Sequence, residues 1–134
     1  MNSYNIHKAL DAFLETVATR LFLPVAWENT SFTPPSDGVY LEADFLPAEN
    51  EDFTIQGSVT LKRGIYQVTV VTPIGSGTQK AEKLASGIVD AFANNVRIPA
   101  AAPMYVNGEP SVFGGIKDDT ALRTAVSIAY TVTA

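Results

Sequence analysis

Residues 26–47 read AWENTSFTPPSDGVYLEADFLP, and the change of character halfway through this stretch decides the fold. From Val39 onward the side chains alternate. Val39, Leu41, Ala43 and Phe45 fall on one side, with Tyr40, Glu42 and Asp44 on the other, the pattern of a strand half buried against a core and ended by Pro47. The segment before it, Glu28 to Asp37, has no such period. Pro34 and Pro35 stiffen it, so it is predicted to be a loop that loses little entropy on binding, preceded by a short strand around Val25 to Trp27.

Upstream, Ile6, Leu10, Phe13, Leu14, Val17 and Leu21 recur at helical spacing, with Asp11, Glu15 and Arg20 between them. This predicts an amphipathic helix started by Asn2 or Ser3 and closed before Pro24. Downstream, Phe53, Ile55, Gly57, Val59 and Leu61 alternate, and Ile65 to Thr72 is rich in β-branched residues. Lys62, Arg63 and Gly64 between them read as a hairpin turn. After Pro73 the period switches: Ala81, Leu84, Ala85, Ile88, Val89 and Phe92 form one stripe of a second helix, capped by Ser76 or Thr78 and ended by Asn94 and Asn95.

The last third predicts two short strands, Met104 to Val106 and Ser111 to Ile116, joined by the hairpin signal Asn107-Gly108. Asp118 and Asp119 mark a further turn. A long closing strand with Leu122, Thr124, Val126, Ile128, Tyr130 and Val132 on one face suits the middle of a sheet. Helix, strands, helix, strands, with no repeated strand-helix-strand unit, is the order of an α+β fold: an antiparallel or mixed sheet with two helices on one face, in a single domain over residues 1–134.

Composition narrows the function. With no cysteine, disulfides and thiolate chemistry are excluded, and with His7 the one histidine, a His-rich metal site cannot be built in one subunit. A net charge of −5 argues against a phosphate-gripping surface and hence against sequence-specific nucleic-acid binding. No apolar run reaches the roughly 20 residues of a membrane helix, and the N-terminus lacks a signal-like basic and apolar pattern. The sequence therefore predicts a soluble protein that stays in the cytoplasm where it is made.

Candidate chemistry is sparse. Asp37, Glu42, Asp44, Glu49, Glu51 and Asp52 lie close in sequence with no Lys or Arg among them, which suits a cation or an interface but equally a solvated surface. Residues 74–80, IGSGTQK, place glycines before a helix but lack the spacing and the Lys-Ser or Lys-Thr of a phosphate loop. Ser76, Ser86, Ser111 and Ser127 have no Gly-x-Ser-x-Gly elbow and only His7 as a base. No catalytic residue, metal site or cofactor is expected. Trp27, Phe32, Tyr40, Tyr105 and Phe113 are aromatics in or beside loops and strand ends, where they either cover the core edge or meet a partner.

The segment carried by Ala26, Trp27, Glu28, Asn29, Phe32, Pro34, Pro35, Tyr40, Leu41, Phe45, Leu46 and Pro47, with the helix before it and the layout after it, resembles the tail terminator proteins of bacteriophages with long non-contractile tails. That resemblance implies a structural protein, assembled in the host cytoplasm and ending in the virion tail. It implies a homo-oligomer, a hexameric ring that caps the tail tube, stops its polymerisation and offers a surface to a head-completion protein. A ring of six would carry six times −5, or −30, so the acidic residues Asp37, Glu42, Asp44, Glu49, Glu51 and Asp52 are expected to face a lumen. Phe32, Pro34, Pro35 and Tyr40 are the expected subunit or tube contacts, followed by Asn107, Gly108, Glu109 and Phe113. The competing readings are another head-tail connector or minor tail protein, or a monomeric small-ligand-binding module.

Overall fold

In the computed structural model, which describes residues 2–47, 51–52, 60–75 and 77–133, the first apolar stripe forms helix α1, Ser3–Arg20. Asn2 is its cap, the side-chain oxygen accepting the Asn5 N–H at 2.8 Å. Ile6, Leu10, Leu14 and Val17 are buried, each contributing about 1.5–3 kcal/mol from the apolar surface it removes from water. The helix ends in a pair of reversed bonds, Phe22 N–H to Thr19 O at 3.2 Å and Leu23 N–H to Ala18 O at 2.9 Å, which forces Phe22 to φ 57°.

Seven strands follow, interrupted by one helix: β1 Val25–Ala26, β2 Tyr40–Pro47, β3 Glu51–Asp52, β4 Thr60–Pro73, α2 Gln79–Ala91, β5 Met104–Val106, β6 Ser111–Lys117 and β7 Ala121–Thr133. They form one sheet in the order β1-β2-β4-β7-β5, with β3 also on β4 and β6 also on β7. Among the described residues only β1 and β2 run parallel, so the sheet is mixed. Strand β7 is internal, as its length predicts.

Register decides which side chains are buried. Leu41 pairs with Val70 and Ala43 with Val68, while Val68 and Tyr66 pair in turn with Val126 and Ile128. All of these lie on the side covered by both helices, in a core that also takes Ala85 and Ile88 from α2 and Phe92 from its C-cap. Phe92 meets Phe13 of α1 edge-on at 4.9 Å. The alternate set, including Tyr40, Glu42, Asp44, Arg123 and Ser127, faces away from the helices. The protein is therefore an α+β fold with both helices on one face of its sheet.

Several sequence expectations require correction or delimitation. Lys62-Arg63-Gly64 is not a turn but lies inside β4. A Cβ on Gly64 would stand 2.6 Å from both Leu46 O and Tyr130 Oη, so glycine is there to let two strands and a ring approach. Asn107-Gly108 does not make a hairpin of β5 and β6. Both strands lie along the same edge of β7, and the Asn107 N–H bonds Ala129 O at 2.8 Å while the Gly108 N–H bonds Asn94 Oδ1 at 2.9 Å, which turns the dipeptide into a bulge tied to the end of α2. The alternating run from Phe53 to Val59 and the capping candidate Ser76 lie outside the described residues. Thr78 occupies the cap position of α2 without a side-chain hydrogen bond.

Candidate interaction surface

The proline-containing loop does not project. Phe32 folds back onto Tyr40, ring centres 4.9 Å apart, on the sheet face away from the helices. Two turns hold this return: Gly38 N–H bonds Pro35 O at 3.0 Å, and Asp37 Oδ1 accepts the Val39 N–H at 3.1 Å. Because β1 is only two residues long, the edge of β2 beyond it is paired with no other strand among the described residues. The Glu28 carboxylate reaches across and accepts the Phe45 N–H, occupying one donor of that edge. Between loop and strand lies an open hollow of about 610 Å³ whose walls include Trp27, Phe32, Pro34, Tyr40, Glu28, Glu42 and Asp44.

The acids of this region are not equivalent. Glu42, expected to be unpaired, receives a hydrogen bond from Arg123 Nε at 3.1 Å, and the same guanidinium pairs with Asp118 in the β6–β7 turn. The sequence hid this because Glu42 and Arg123 lie far apart in the chain, and only the order β2-β4-β7 brings them together. Asp44 has no cationic partner among the described residues. Burial, and then the charge of Glu28, hold its carboxyl above the usual carboxylate range. Asp37 is engaged in its turn. Glu51 and Asp52 lie in β3 paired with Leu61 and Thr60, and Glu49 is outside the described residues.

On α1, the His7 ring stacks on Phe45 at 4.6 Å and its Nε2 lies 3.3 Å from Asp11 Oδ2. Asp11 Oδ1 accepts the buried Tyr66 hydroxyl at 2.6 Å, and burial followed by that bond raises the Tyr66 phenol. These contacts tie α1 to the sheet. No group of three or more metal-ligating side chains occurs among the described residues, and none of their helices is long and apolar enough to cross a membrane.

The opposite flank has another character. Every residue of β6 is exposed, including Phe113 at 55% and Ile116 at 74%. Outside β5, Arg97 forms an antiparallel bridge with Tyr105, which puts both side chains on the same side of the sheet, and through Thr131 of β7 on the side that carries the hollow. Asn107, Gly108 and Glu109 are exposed on this flank. The expected contact residues thus fall into two groups, Phe32, Pro34, Pro35 and Tyr40 on one flank and Asn107 to Glu109 with Phe113 on the other. Sequence reasoning missed Arg97, whose only signal is a lone basic residue before Pro99, and Phe22, 92% exposed because the helix-ending turn points it outward.

These features describe an α+β module with two unlike flanks. A phage tail terminator protein family matches residues 5–130, and the chain belongs to that family. It is therefore a structural component of a phage tail. One solved structure, designated by a sequence identifier alone, is 33% identical with a TM-score of 0.80, over 98% of this chain and 96% of its own. A chain from the virion of a native gene transfer agent particle shares the fold at a TM-score of 0.64 and 12% identity, over 98% of this chain and 93% of its own. No curated protein matches the chain.

Proposed function

We propose that the chain, as a single domain over residues 1–134, assembles into a hexameric ring on the head-proximal end of the tail tube, stops tube polymerisation there and presents a joining surface to a head-completion protein. The observation that carries this reading is strand β6. A seven-residue edge strand exposing Val112, Phe113 and Ile116 leaves an apolar surface that association would cover, and the opposite flank differs from it. Unlike flanks suit head-to-tail contacts, the kind that close into rings. Catalysis has no part in this role.

In such a ring Asp37, Glu49, Glu51 and Asp52 would border the channel, their like charge discouraging a transiting polyanion from sticking. The test is mass by light scattering over a range of concentrations, with and without magnesium and purified tail tubes, combined with electron microscopy of tube ends. Rings of six, free or formed on tubes, support the reading. A monomer that ignores tubes under every condition refutes it.

A further inference from the structure

We propose that the hollow between the proline loop and β2 is a socket for Arg97 of a neighbouring copy. The inference deepens the ring reading and rests on it for the identity of the occupant. Its basis is complementarity within one chain. The socket offers the aromatic rings of Trp27, Phe32 and Tyr40 together with the carboxylates of Glu28 and Asp44, two acids that sit against each other's charge. A planar guanidinium is matched to both parts, since it takes carboxylates through paired N–H groups and stacks on aromatic faces.

The molecule already accepts a guanidinium on this same sheet face, where Arg123 meets Glu42. Arg97 is exposed beside Tyr105, on the same side of the sheet as the socket but at the other end of the strand order. A contact joining one copy's Arg97 flank to the next copy's socket flank is therefore heterologous, and an open arc keeps one unused half at each end until the ring closes. It also offsets, at each junction, the repulsion between copies that each carry −5.

The experiment is a charge exchange read by ring formation, on tail tubes if free protein does not form rings. Arg97→Glu alone and Asp44→Arg alone should each weaken association by about thirtyfold, the loss typical of unpairing a charge at an interface. The doubly substituted chain should recover, and an equal mixture of the two single variants should form mixed rings, because every junction in an alternating ring then pairs opposite charges. Lys83→Glu, exposed on α2 and part of neither flank, should leave assembly unchanged. Trp27, the one tryptophan, lines the socket, so its emission should shift on wild-type assembly and not with Arg97→Ala.

Circular dichroism of each variant separates misfolding from lost contact. If both single variants assemble like wild type, the socket is refuted and the ring reading stands. If both fail while folded, and neither the double variant nor the mixture recovers, direct pairing is refuted. If wild type never forms rings, both ideas fall.

Discussion

Single residues here carry more than their sequence signals suggest. Asp44 reads as one of several surface acids, yet its carboxyl is held above 3.8 by burial and by Glu28. The folded chain therefore binds more proton than the unfolded chain between 3.8 and the raised value, so stability falls as pH rises through that window. Asp44→Asn should raise the melting temperature of the monomer at neutral pH, and the gain should vanish below the window in a calorimetric pH series. Gly64 reads as a turn residue because Lys-Arg-Gly follows an apolar run, and nothing in the sequence tells a turn glycine from one that yields space. Gly64→Ala should cost about 1–3 kcal/mol in urea unfolding, since the methyl group would overlap Leu46 O and the Tyr130 hydroxyl. A cost near zero would mean that the strands can separate there.

At the scale of elements, period alone located α1, α2, β2 and β7, because each buries one face and period is the trace of one-sided burial. Strands β5 and β6 were also legible, but their connection was not. Asn-Gly favours a tight reversal, yet β7 is long enough to pair with both strands in line, and that pairing overrode local turn preference. The end of α1 is a case where local preference was overruled in the other direction. Phe22 holds the left-handed position that glycine fills best, at φ 57°, with its ring almost wholly in water. Phe22→Gly should stabilise the protein by about 1 kcal/mol in thermal or urea unfolding by relieving that conformation. A loss instead would show that the ring packs on something in the free chain.

For the whole molecule, the sequence made the layered fold legible but not the division of the surface into two flanks. Acids were visible as a run, whereas their partners depended on strand order, and the side of the sheet that Arg97 occupies is set by its bridge to Tyr105. Replacing Phe113 and Ile116 together by Ser should leave monomer unfolding within about 0.5 kcal/mol, as for exposed positions generally, while weakening assembly in light scattering. Unchanged assembly would remove β6 from the contact. One further property follows from the ladder between β4 and β7, which is unbroken from Leu61–Thr133 to Pro73–Ala121. At about 3.4 Å per residue the paired strands form a beam roughly 40 Å long. Tension applied along that beam loads its hydrogen bonds in shear, all at once, whereas tension across it peels them one by one. The molecule is thus mechanically anisotropic, a stave that is stiff along one axis and splits most readily from the side.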